Sequence, residues 1–255
     1  MPSDARRAHY LEALGIDEWV ARRAPPAHPA APAPAVPLSA EIKVPLGPVD
    51  AGAPDPGTAA GWDRLREEVR TCTRCALHQT RTQAVLGVGN PEAQWMVIGE
   101  APGAEEDRRG EPFVGRAGQL LDAMLRAIGL SRATNVYIAN ILKSRPPGNR
   151  DPKPEEVTAC LPYLHRQIAL VRPRLLLAVG RIAAQNLLQT DAPLARLRGQ
   201  VHRFGEHNVP LVVTYHPAYL LRTPADKRKA WEDLQFARTV FAQGMNDEPN
   251  DGHRS

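Results

Sequence analysis

From Gln94 to Gly244 the sequence alternates short apolar runs with longer stretches of helical period, and it does so four times. The runs "QWMVIG", "NVYIANIL", "RLLLAVG" and "VPLVVTY" read as strands. Each is followed by a helical pattern: "GQLLDAMLRAIGL", with Leu120, Leu121, Met124, Leu125 and Ile128 on one face, then "KPEEVTACLPYLHRQIALV", "RIAAQNLLQ" and "DKRKAWEDLQFARTVFAQG". Pro154 falls near the first turn of the second helix, where its missing N–H has no intrahelical partner to lose. Consecutive parallel strands need crossover connections, and those crossovers are right-handed. The order therefore predicts an α/β fold, a three-layer α/β/α sandwich around a four-stranded parallel sheet.

Ligands of such folds bind beyond the carboxyl ends of the strands. The residues at those ends are Glu100, Asn140, Gly180 and His216, so a carboxylate, an amide and an imidazole are expected on one edge of the sheet. In the loop "GEAPGAEEDRRGEPFVGRAGQ", Gly99 and Gly103 permit tight turns around Glu100 and Pro102 stiffens them, so the backbone of Ala101, Pro102 and Gly103 can approach a ligand closely. The loop lacks the spacing of a Walker loop or a dinucleotide fingerprint, which argues against a nucleotide cofactor. Phe113, in the polar stretch "GEPFVGR", is either a core plug or a stacking platform for a flat ligand. Pro217 turns His216 away from helical geometry, and that histidine is either structural or functional. Arg222, Lys227, Arg228 and Lys229 follow, as a solvated helix start or as phosphate contacts.

The flanks differ in composition. Ten of the 25 prolines fall between Ala24 and Ala60, where "APPAHPAAPAPAVP" has almost no large apolar side chain. Residues 24–60 read as an extended, disordered linker. Residues 1–23 carry Tyr10, Leu11, Leu14, Trp19 and Val20 at near-helical spacing, a short amphipathic helix that either folds back on the domain or docks on a protein partner. The folded domain is expected over residues 61–245, followed by a disordered tail over 246–255. The formal charge is +4; residues 1–60 hold 5 basic and 7 acidic side chains and residues 246–255 hold 1 and 3, which leaves +8 on residues 61–245. A surface of that sign suits a polyanion. No stretch approaches the length of a transmembrane helix, and Asp4, Glu12, Asp17 and Glu18 are unlike a signal peptide, so a cytoplasmic protein is expected.

The segments "GEAPGAEED", "GEPFVGRAGQLL", "NILKSRPPGNRDP" and "TYHPAYLLR" resemble, in order and spacing, the motifs of the family 4 uracil-DNA glycosylases, the bacterial and archaeal type that carries an iron-sulfur cluster. The resemblance covers roughly residues 61–240 and leaves residues 1–60 outside it. It implies a monomeric enzyme that flips uracil out of double- or single-stranded DNA and hydrolyses its N-glycosidic bond. It implies that Asn140 pairs with uracil O4 and N3, that Phe113 stacks on the base, and that His216 donates to O2. Glu100 takes the acidic role beside the sugar or the attacking water, with Glu106 as its runner-up or as the group that crowds out the thymine methyl. Arg145, Arg150 and Arg222 are the implied phosphate contacts.

Cys72 and Cys75 in "TCTRC" form half of a metal site, and Cys160 is the one remaining cysteine. The resemblance implies a 4Fe-4S cluster on Cys72, Cys75, Cys160 and a fourth cysteine, but the position before the RPP turn is Ser144. A serine oxygen is a harder ligand than a thiolate and far harder to deprotonate. The cluster is retained with another fourth ligand, converts to a three-iron form, or is lost with its cysteines packed as small apolar residues. Two other classes of function compete with the glycosylase: a non-catalytic DNA-binding or replication-associated module, and a hydrolase or transferase acting on a small nucleoside.

Overall fold

A computed structural model describes residues 59–246 of the chain. The amphipathic helix predicted in residues 1–23, most of the proline-rich linker and the tail from residue 247 lie outside the described residues. Ala59 and Ala60, assigned to the linker by composition, instead open helix α1 (Ala59–Arg70). That helix buries Gly61, Leu65 and Val69, spaced four apart, and packs with Trp62 against Tyr163. No helix among the described residues is long and apolar enough to cross a membrane.

The sheet has six strands rather than four. In chain order they are β1 (Val88–Gly89), β2 (Trp95–Gly99), β3 (Val136–Asn140), β4 (Leu175–Val179), β5 (His202–Phe204) and β6 (Val209–Thr214), arranged β1-β3-β2-β4-β6-β5. The four predicted strands β2, β3, β4 and β6 form the parallel centre. The two additions are antiparallel edges: β1 pairs with β3, and β5 with β6. With two and three residues they are too short to carry a period of two, which is why sequence pattern does not reveal them. Short edges also offer little backbone to a stray strand.

Helices α2 (Ala104–Arg109) and α3 (Arg116–Ala127) join β2 to β3, α4 (Pro154–Val171) joins β3 to β4, and α5 (Arg181–Leu188) and α6 (Leu194–Leu197) lead from β4 to β5. After β6 come α7 (Pro217–Arg222) and α8 (Lys227–Asn246). Every residue of β2, β3 and β4 is buried, as expected of strands covered on both faces. Alternation sorts their side chains. Met96, Ile98, Ala139, Leu176, Ala178 and Val213 meet Leu164 and Ile168 of α4 and Ala184 and Leu187 of α5. Trp95, Val97, Ile138, Leu175, Leu177 and Val212 meet Leu121 and Leu125 of α3 and Leu234 and Ala237 of α8. The result is the three-layer sandwich, and each fully buried leucine or isoleucine in it contributes roughly 1.5–3 kcal/mol.

Candidate active site

The sheet order fixes where a ligand can enter. From β2 the chain crosses to β3 on one side, and from β4 it crosses to β6 on the other, so the crevice between the carboxyl ends of β2 and β4 is the topological switch point. Glu100 leaves β2 at that crevice and Arg181 leaves β4 there. Asn140 closes β3 in register with Gly99, and His216 follows β6 as the N-cap of α7. The residues read from the strand ends are thus brought to one edge.

Asn140 is 2% exposed, and its Oδ1 has no hydrogen-bond partner, the single such buried side-chain atom among the described residues. A buried acceptor left unpaired costs about 1–3 kcal/mol, so it calls for a partner that supplies a donor. Gly99 makes room for it. A Cβ on Gly99 would stand 2.4 Å from Asn140 Oδ1 and 2.7 Å from Phe113 Cζ. The Phe113 ring in turn lies 5.6 Å from the His216 ring, centroid to centroid, at an interplanar angle of 31°. Behind Asn140, the buried Lys143 Nζ donates to the Asn140 carbonyl oxygen at 2.6 Å and to Gln167 Oε1 at 2.5 Å, which holds the end of β3 in place.

Phe113 adopts φ of 54°, a left-handed conformation that costs a non-glycine residue roughly 1–3 kcal/mol and persists only where the surroundings enforce it. Three contacts enforce it. Arg132 donates to the carbonyl oxygens of Pro112 and Phe113 at 3.1 and 2.8 Å while its Nε holds Asp122 at 2.7 Å. Gly118 in α3 packs so closely that a Cβ there would sit 1.8 Å from the Phe113 oxygen. Glu106 accepts from the backbone N–H groups of Val114 and Gly115 through Oε1 and of Gly103 through Oε2, at 3.0, 3.1 and 3.1 Å. Both oxygens of Glu106 are therefore committed to the loop. Phe113 itself is 6% exposed and belongs to the core beside α3, as a core plug would, and its ring also lies against that of His216. Pro102 is buried, with Ala101 and Gly103 half-buried on either side.

The charges at the crevice are tuned by burial. Burial pushes the Glu100 carboxyl up to about 7; nearby Asp151 adds to the shift and Arg181 opposes it. Arg181 is paired with Asp151 at 2.8 Å. Between its ordinary value of 4.5 and about 7, Glu100 binds more protons folded than unfolded, so it lowers stability as pH rises through that window. His216 moves the other way, down to about 4, through burial and then the Arg222 charge, against a smaller upward pull from Glu106. Its Nδ1 accepts from the Ala218 N–H at 3.1 Å, which assigns the proton of the neutral ring to Nε2.

The three candidate phosphate ligands differ. Arg222 is exposed beside His216. Arg145 is half-buried and holds Asn149 Oδ1 at 2.7 Å. Arg150 grips Glu156 with both Nη atoms, at 2.9 and 2.6 Å, and so fastens the RPP turn to the start of α4. Sequence reading missed Arg132, Asp151, Lys143 and Arg181. Of these Arg181 had a signal, its place directly after the third predicted strand; the others act through partners 10 to 30 residues away, Lys143 also through nearby Asn140.

Cys72 and Cys75 are half-buried and Cys160 is buried; all three are free thiols. Burial raises the Cys160 thiol, and the Lys143 backbone N–H bonded to it pulls the other way. Among the described residues no three His, Cys, Asp or Glu side chains converge as metal ligands. Ser144, at the expected fourth position, is 3% exposed, and its Oγ accepts from Arg81 Nη1 at 2.9 Å. Three thiols and an engaged hydroxyl do not fit a cluster held by four thiolates.

Residues 86–235, which include the crevice residues from Glu100 to His216, match the Uracil DNA glycosylase superfamily. The type-4 uracil-DNA glycosylase of Archaeoglobus fulgidus is 47% identical over 180 residues, 68% of this chain and 89% of that protein. That of Pyrobaculum aerophilum is 44% identical over 189 residues, 72% and 94% of the two chains, and that of Thermotoga maritima 41% over 181 residues, 69% and 93%. The chain belongs to the type-4 uracil-DNA glycosylase family.

Proposed function

We propose that this protein is a uracil-DNA glycosylase of base excision repair, which flips uracil out of DNA, hydrolyses its N-glycosidic bond and leaves an abasic site. The observation that carries the reading is the unpartnered Asn140 Oδ1, walled by Gly99 and the Phe113 ring. Uracil presents an N3–H donor beside the O4 acceptor, so one carboxamide pairs with both. Cytosine presents the inverted pattern and would leave the amide unpaired. A base inside the duplex cannot reach such a recess, so the nucleotide is extruded and its base stacks on Phe113.

Bond cleavage leaves positive charge on the sugar and negative charge on the departing base. His216, neutral with its proton on Nε2, donates to uracil O2 as that charge develops. The Glu100 carboxylate stabilises the cationic sugar and takes the proton of the water that adds to C1′, while the C1′–N1 electron pair leaves with uracil. Glu106 positions Phe113 by holding the loop ends. Activity needs ionised Glu100, so kcat rises with pH through about 7 and levels above it. Glu100→Gln is expected to remove that inflection and to slow the reaction about 10²–10⁴-fold. His216, held at about 4, adds no inflection above pH 5.

Arg145 and Arg222 contact phosphates, with Arg150 supporting the turn. Each phosphate contact contributes about −0.7 to −0.9 to the slope of log K against log salt, so Arg145→Ala and Arg222→Ala should each reduce the slope by about that amount. A fluorescence titration over a series of salt concentrations reads it. The protein acts as a cytoplasmic monomer on this reading. Incubation with U·G, U·A and single-stranded uracil oligonucleotides, followed by alkali, tests the function. Strand breaks at uracil, lost in Asn140→Ala with the thermal midpoint retained, support it. Binding without breaks identifies a non-catalytic module, and activity on free deoxyuridine alone identifies a nucleoside hydrolase.

A further inference from the structure

The Arg81 guanidinium occupies the junction that a cluster would organise. Its Nη2 donates to the carbonyl oxygens of Arg70, the last residue of α1, at 2.9 Å and of Cys72 at 3.0 Å, while its Nη1 donates to Ser144 Oγ at 2.9 Å. One planar fork thus joins the end of α1, the turn bearing Cys72 and Cys75, and the segment that leads into Arg145. A backbone hydrogen bond from Val85 N–H to the Lys143 oxygen, at 2.8 Å, runs alongside it. A cation at the C-terminus of a helix is also favoured by the helix dipole. The planar fork of a guanidinium reaches three divergent acceptors at once, which a lysine ammonium reproduces only in part. Ser144 Oγ, where a fourth thiolate would stand, serves as one of those acceptors.

We propose that Arg81 is a positioning residue that holds the DNA-contacting Arg145 segment in place of a metal cluster, so that folding and DNA affinity in this chain do not depend on iron. The part concerning DNA rests on the glycosylase reading; the part concerning iron does not. The mechanical role assigned to Arg81 is specific. Its loss loosens the phosphate-contacting segment and leaves the crevice of Asn140, Phe113 and His216 in place.

The test uses the full chain purified without oxygen. Iron and acid-labile sulfide are counted, the visible spectrum is recorded, and the thermal midpoint and affinity for a uracil oligonucleotide are compared before and after stripping with ferricyanide and EDTA. The expected result is less than about one iron per chain, no band at roughly 400 nm, and a midpoint and affinity unchanged by stripping. In steady-state assays Arg81→Gln raises KM about tenfold with kcat within about twofold, Arg81→Lys recovers part of the loss, and Ser144→Ala raises KM about two- to threefold. About four irons per chain, a midpoint that falls on stripping, or an unchanged KM in Arg81→Gln would each overturn the proposal. Should Arg81→Gln fail to fold, the iron count and stripping result on the unaltered protein still decide the point. Absence of uracil release from every version overturns the glycosylase reading and leaves the iron result intact.

Discussion

The His216→Ala protein should release uracil about 10²–10³-fold more slowly than the unaltered chain under single-turnover conditions, with DNA affinity within a few-fold. The expectation follows from the charge state of the ring. Burial and the Arg222 charge press its pKa down to about 4, so at neutral pH the imidazole is uncharged. The Ala218 N–H then occupies Nδ1 and leaves Nε2–H as the free donor of the ring. A donor of this kind contributes more as negative charge accumulates on the leaving base, so its removal lowers kcat rather than substrate binding. A rate within twofold of the unaltered protein, at a matched thermal midpoint, would remove His216 from the chemistry.

The Gly99→Ala substitution is expected to lower uracil release at least about 100-fold while the sheet remains folded. A methyl at that position would lie 2.4 Å from Asn140 Oδ1 and within 2.8 Å of the Phe113 ring, well inside contact distance of both. Gly99 does not occupy the left-handed region, so the penalty is one of space rather than backbone conformation. Either Asn140 turns from its recess or the ring tilts, and the base then loses its partner or its stacking face. The discriminating measurement is single-turnover rate beside the thermal midpoint: a large fall in the first with a small shift in the second locates the damage in the recess. Gly118→Ala offers the contrast. Its added methyl would meet the Phe113 carbonyl carbon at 2.2 Å and its oxygen at 1.8 Å, so backbone must move and the midpoint should fall with the activity.

Much of the site was legible because strand ends in an alternating α/β chain have one common edge. Counting elements places Glu100, Asn140 and His216 there without reference to their contacts. What could not be read was the role of groups whose partners lie far along the chain. Glu106 reads as a catalytic candidate in its motif, yet its oxygens are taken by Gly103, Val114 and Gly115. Arg150 reads as a phosphate ligand, and the buried Glu156 carboxylate claims its fork. Hydrogen bonds of this sort depend on where two loops meet, which local pattern does not encode.

The order of residues dictated the layered α/β architecture, because apolar runs of strand length alternating with helical faces admit few other arrangements. It also determined the chemistry available at the sheet edge and the absence of a fourth cysteine at residue 144. Packing between distant segments settles which polar groups remain free to meet a ligand. Asn140 Oδ1 is left without a partner while Glu106 and Ser144 are satisfied, and that difference arises from packing between segments up to 63 residues apart, as between Arg81 and Ser144. Free and engaged polar atoms look alike in sequence, and only the fold distinguishes them.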